Sequence, residues 1–229
     1  MKYLAIFVLA LIAFSQVEAK EVEAGLDLCP TCVSFATQSI DQLLNIILNA
    51  GVIGGCADLC GYLPNKVEQT VCDLLCDYVG LELFIKLIKE ADLDPIYLCE
   101  LITVCPIHDC EGECITIDEI NIVPPSGPAG TEFAIEMAFT VHNQTGTGEI
   151  VIDIFPPDGE PFGDGELTEG YAPGKYGIRF GLKTEPTEDE PYSAGTYGVE
   201  LGVCEGQCGS KHPHSYVYDV KKSSFQITE

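Results

Sequence analysis

Apolar residues recur at two different periods along the chain, and the change of period divides it. Over residues 26–105 the period is helical. Leu28, Cys32, Phe35, Ile40, Leu43, Leu44, Ile47 and Leu48 fall at three- and four-residue steps and predict one long amphipathic helix. Gly51, Gly54 and Gly55 loosen the next segment, and Leu63-Pro64 breaks it. Val67, Val71, Leu74, Leu75, Tyr78 and Val79 form a second stripe that runs to Gly80. Leu83, Phe84, Leu87 and Ile88 predict a short helix, and Ile96, Leu98, Leu101 and Ile102 a last one that ends at Cys105-Pro106. From residue 115 onward the period is two. ITIDEINIV, EFAIEMAFTVH, GEIVIDIF, GKYGIRFGL, GTYGVELGV, SYVYDV and SFQIT read as about seven strands at the spacing of an antiparallel β-sandwich of Ig-like type. Pro124-Pro125-Ser126-Gly127 and Pro156-Pro157-Asp158-Gly159 carry turn chemistry. The pattern therefore predicts α and β structure in separate domains, with the boundary at 106–114.

The N-terminus has its own logic. Lys2 precedes an apolar core from Leu4 to Phe14, and Val17-Glu18-Ala19 ends on a small residue. That core is shorter than the ~20 residues a spanning helix needs, so residues 1–19 read as a cleaved signal peptide. The domains expected are then 20–109, helical, and 110–229, β. No later stretch reaches a spanning length, so an integral membrane protein is not expected. Secretion to the extracellular space, or delivery to a lysosome, is.

An oxidising destination changes how the cysteines read. All 12 lie beyond residue 19, an even number that points to a disulfide framework and away from thiolates on a metal. Charge narrows the partners. Lys plus Arg is 11 and Asp plus Glu 36, a net −25 that removal of 1–19 leaves unchanged. Such a surface repels nucleic acid and anionic lipid at neutral pH.

Within the helical part, Cys29-Pro-Thr-Cys32, Cys60 followed by Leu63-Pro64, and Cys99-Glu-Leu-Ile-Thr-Val-Cys105-Pro together resemble a saposin B-type domain over roughly 80 residues. The resemblance implies a five-helix, disulfide-bonded leaf. It implies the pairs Cys29–Cys105, Cys32–Cys99 and Cys60–Cys72. If Cys60 and Cys72 face each other across an antiparallel hairpin, then Cys56 lies one turn back and Cys76 one turn forward. A fourth bridge, Cys56–Cys76, follows. The near-copies Cys110-Glu-Gly-Glu-Cys114 and Cys204-Glu-Gly-Gln-Cys208 close locally, as Cys110–Cys114 and Cys204–Cys208, or cross-link to one another. Four cysteines allow three connectivities, and the Gly in each loop favours local closure.

The domain order, the extra helical Cys pair and the acidic β tail also make the whole chain similar to the countin family of social amoebae. That resemblance implies a secreted component of a counting-factor complex that limits group size. Its partners would be the proteins of that complex. A lipid-binding or lipid-presenting lysosomal protein is the first alternative, and an amoebapore-like membrane effector the second.

The candidate chemistry is sparse. His108, His142, His212 and His214 are the only histidines, and no Ser sits in a G-x-S-x-G elbow. No acidic pair stands in an apolar setting, so an enzyme is not expected, and neither a cofactor nor a metal is called for. Lipid-contact candidates, if the leaf opens, are Phe35, Leu43, Ile47, Val71, Leu75, Leu83, Phe84 and Leu87. The same residues also suit a closed core. Because free carboxylates titrate near ~4, lipid association should strengthen as pH falls toward ~4–5. Asn143-Gln144-Thr145 is an N-glycosylation sequon between two predicted strands.

Overall fold

The computed structural model describes residues 28–49, 53–91, 93–187 and 191–229; the expected signal peptide lies outside the described residues. Helices occupy the first half: α1 (Leu28–Asn49), α2 (Cys56–Cys60), α3 (Lys66–Val79), α4 (Leu81–Ala91) and α5 (Pro95–Leu101). Local chemistry sets their limits. The Asn65 side chain caps α3 by accepting from Glu68 N at 2.9 Å, and its amide donates back to the Glu68 carboxylate. Asp94 caps α5 by accepting from Tyr97 N, with Pro95 in the first turn where its missing N–H leaves no bond unmade. No described helix is long and apolar enough to cross a membrane.

The expected five-helix saposin-like fold is not what forms. α1 runs for 22 residues while α2 has 5 and α5 has 7, so the elements are unequal and short. They close on one core that includes Leu43, Leu59, Phe84, Ile88, Leu98 and Ile102.

The second half is a mixed-sheet domain. Its strands are β1 (Ile115–Val123), β2 (Ser126–Pro128), β3 (Glu132–Val141), β4 (Gly148–Phe155), β5 (Phe162–Thr168), β6 (Gly174–Lys183), β7 (Gly195–Glu205) and β8 (Tyr216–Thr228). They make a three-stranded sheet, β1-β3-β6, and a five-stranded sheet, β2-β8-β7-β4-β5. The expected antiparallel Ig-like sandwich is overturned on two counts. β2 pairs with β8 in parallel, and the two sheets curl into a half-barrel. The curl is fixed where β8 lies against β1. Asp219 accepts from Ile117 N at 2.8 Å, and Lys221 donates to the carbonyls of Ile117 and Asp118 at 3.0 and 2.6 Å. Inside, Phe133, Phe139 and Phe225 are fully buried, and Phe225 packs on both Phe133 and Tyr197.

Strand count also differs from expectation. SYVYDV and SFQIT are two ends of the single strand β8, and Phe162–Thr168 pairs as β5 although its sequence, FGDGELT, lacks alternation. Ser126 and Gly127, the second half of the expected turn Pro124-Pro125-Ser126-Gly127, belong instead to β2.

Candidate functional site

The two halves meet at a junction lined with buried acids. α5 presents Asp94 and Glu100, 4% and 3% exposed, and the end of β7 presents Glu205, 2% exposed. Asp94 serves both sides: one oxygen caps α5, and the other accepts from Ser210 Oγ of the sheet half at 2.6 Å. Next to it the Tyr97 ring stacks on His212 with centroids 4.5 Å apart. Glu205 Oε1 accepts from His108 N at 3.3 Å and Gly146 N at 3.1 Å, tying the interdomain segment to the β3–β4 loop. Thr147 N and Oγ1 both donate to the Pro106 carbonyl, at 3.0 and 2.9 Å. Leu167 of β5 packs against the helical core.

Glycines permit this approach. A Cβ on Gly148 would stand 2.0 Å from the Cys204 carbonyl oxygen, and one on Gly146 would stand 2.5 Å from His108 N. Only a residue without a side chain lets the β3–β4 loop reach both partners.

Two of the acids lack full partners. Glu100 Oε1 and Glu205 Oε2 are buried with no hydrogen bond. Burial, reinforced by Asp94, Glu205 and Asp109, pushes the Glu100 carboxyl up to about 8. Burial also pushes Glu205 up, to about 7, against the opposing pull of its two backbone donors. Glu149 rises for the same reason, although Cys208 N donates to it at 2.6 Å. At the rim His214 Nδ1 pairs with Asp109 at 2.6 Å. The junction therefore binds protons near neutral pH. Among the described residues no group of His, Cys, Asp and Glu is arranged to hold a metal.

Neither Glu100 nor Glu205 stands out in the sequence, because groups beside each are distant in the chain: Glu205 near Glu100, and His108 and Gly146 on Glu205. The one local sign is position: Glu100 sits between Cys99 and Leu101 in the CELITVC ending, and Glu205 directly follows Cys204 in CEGQC.

Six disulfides join the cysteines: Cys29–Cys105, Cys32–Cys99, Cys56–Cys76, Cys60–Cys72, Cys110–Cys114 and Cys204–Cys208. The last two flank the junction. Of the lipid-contact candidates, Phe35, Leu43, Ile47, Leu75, Phe84 and Leu87 are in the closed helical core, and Val71 is at its margin. Leu83 is exposed. Asn143 is exposed and donates to the Glu113 carbonyl, while Thr145 of the same sequon is buried and accepts from Tyr171 N.

Comparison with known proteins bears on both halves. Residues 27–103 match the Countin N-terminal domain family, and residues 115–229 match the Countin C-terminal domain family. Countin-1 of Dictyostelium discoideum is 44% identical over 90% of this chain and 80% of its own length. Countin-2 of the same organism is 39% identical over 88% and 78% of the two chains. Countin-3 is 36% identical over 99% of both. The likeness to Countin-3 runs through helices, junction and sheets alike, and the chain belongs to the countin family.

Proposed function

We propose that this chain is a secreted, non-enzymatic signalling protein, a component of a counting factor that limits group size during aggregation. The observation that carries this reading is the continuous similarity to the countins across both halves. The six disulfides support an oxidising, extracellular destination, where such bonds persist. On this reading the protein acts through partner proteins, and the acidic junction tunes how firmly its halves hold together. The test is to add the purified chain to aggregating Dictyostelium discoideum cells and measure group size, with size-exclusion chromatography of conditioned medium alongside. A fall in mean group size and elution within a larger complex are expected. Unchanged groups at any dose overturn the reading.

A second reading, lipid association favoured at acid pH, rests on exposed apolar residues of the helical half. Val67, Leu74 and Tyr78 lie on one face of α3, with Leu83 exposed on α4 beyond Gly80. Flotation with phosphatidylcholine vesicles at pH 4.5 and 7.5 tests it. Equal binding at both values removes the acid dependence, and no binding at either removes the reading.

A further inference from the structure

The half-barrel treats its open edges unequally. β1 bulges between Ile117 and Glu119, and its edge groups there, Ile117 N and the carbonyls of Ile117 and Asp118, are met by the Asp219 and Lys221 side chains of β8. β2 is only three residues long and ends in Pro. β5 is broken up by Gly163 and Gly165 and carries Asp164 and Glu166. These are the usual ways in which a sheet edge is blunted. β6 is different. All ten of its residues pair with β3 in unbroken register, and among the described residues no strand pairs with its other edge.

The two faces of β6 differ in kind. Tyr176, Ile178, Phe180 and Leu182 point inward, across from Phe139, Met137, Ile135 and Phe133, yet all four remain only half-buried. They are half-buried because the half-barrel is open between β6 and β5. A cleft of about 350 Å³ lies there, walled by Ile152, Ile154, Phe162, Phe180 and Leu182, with Asp164 and Arg179 also lining it. The outward residues are Lys175, Gly177, Arg179, Gly181 and Lys183. Three of the chain's eleven cationic residues, including its single arginine, thus form a row on one edge strand of a chain with net charge −25. Their own-chain partners are weak. Arg179 meets Glu136 at 3.8 Å and Lys183 meets Glu185 at 2.9 Å, all four side chains well exposed to water.

We propose that β6 is a strand-addition site: an extended segment of a partner protein, with apolar and acidic residues alternating, pairs with its open edge. Apolar side chains of that segment enter the cleft between β6 and β5, and its carboxylates face Lys175, Arg179 and Lys183. Main-chain bonds supply affinity, and the alternate side chains supply selection. A second copy pairing through its own β6 is disfavoured, because antiparallel self-pairing brings the cationic rows together. At about 350 Å³ the cleft suits the side chains of a short segment. This inference does not depend on the group-size reading, and its test reads binding alone.

The test uses the full oxidised chain and a fluorescein-labelled nine-residue peptide in which Glu alternates with Val. Fluorescence anisotropy should show saturable binding, with faster-exchanging β6 amides becoming protected from hydrogen exchange. The peptide N-methylated at alternate residues, which keeps its charge and loses its edge donors, should not bind. A peptide with Lys in place of Glu should not bind either. Lys175→Glu with Lys183→Glu, on the exposed face and checked for unchanged circular dichroism, should weaken binding at least about tenfold, or ~1.4 kcal/mol. No saturable binding, or equal binding of the N-methylated peptide, overturns the proposal.

Discussion

Between residues 28 and 105, four disulfides join cysteines that stand 12, 20, 67 and 76 positions apart; between 110 and 208, two disulfides each join cysteines 4 apart. The helical half packs short helices on a small core and is cross-linked from end to end. The sheet half carries ladders of backbone bonds between β3 and β6 and between β7 and β8, and its disulfides only pin loops beside the junction. Small helical units of this size bury too little surface to be secure alone, whereas sheets of three and five paired strands do better. Oxidation thus stabilises one half globally and the other only at its margin.

The sharpest way to break that contrast is reduction. Treating the folded protein with a strong thiol reductant should unfold the helical half and leave the strands folded. Hydrogen exchange would then show α1 through α5 losing protection while β7 and β8 keep theirs; joint loss or joint survival would contradict the division. Removing bridges sharpens the point. Cys32–Cys99 is nested within Cys29–Cys105, so either one alone still closes the long loop. By loop-closure entropy, replacing all four of these cysteines with Ser should cost about 7 kcal/mol, against about 2 kcal/mol for replacing Cys110 and Cys114. Urea denaturation curves of the two variants measure the difference.

The junction predicts a pH dependence of a few kcal/mol. Glu100, at about 8, and Glu205, at about 7, bind protons more tightly folded than unfolded, where an ordinary Glu titrates near 4.5. The folded protein therefore holds extra protons between about 4.5 and 8, and its stability falls as pH rises through that window. Melting temperature should drop from pH 5 to pH 8. Glu100→Gln, which keeps the shape without the charge, should flatten the slope and raise the melting temperature at pH 8. A melting temperature independent of pH would contradict the burial argument. The smallest effect belongs to Asp94→Ala, which removes the α5 cap and the bond to Ser210. It should cost about 1–2 kcal/mol, read by urea denaturation.

How far the sequence carries depends on range. α1 is legible because its stripe is long, and the start of α5 is marked by Asp94-Pro95. β3, β4 and β6 are legible because apolar and polar residues alternate in them. β5 is not, since the positions opposite Ile150 and Ile152 are Glu166 and Asp164 at a sheet edge, where no burial demands apolar side chains. β8 reads as two strands because Lys221, Lys222, Ser223 and Ser224 interrupt its pattern. Yet Lys221 is polar for a reason found only in three dimensions, its bonds to β1. The parallel pairing of β2 and the burial of Glu100 and Glu205 likewise depend on residues distant in the chain. Local pattern does not contain them.

The cationic row on β6 has a kinetic corollary. An acidic strand that approaches a body of charge −25 is repelled until it comes within a Debye length, about 10 Å at 0.1 M salt, of Lys175, Arg179 and Lys183. Moderate salt removes the distant repulsion before it weakens the contact at close range. Association at this edge should therefore speed up as ionic strength first rises and slow down beyond it, the reverse at low salt of ordinary electrostatic steering.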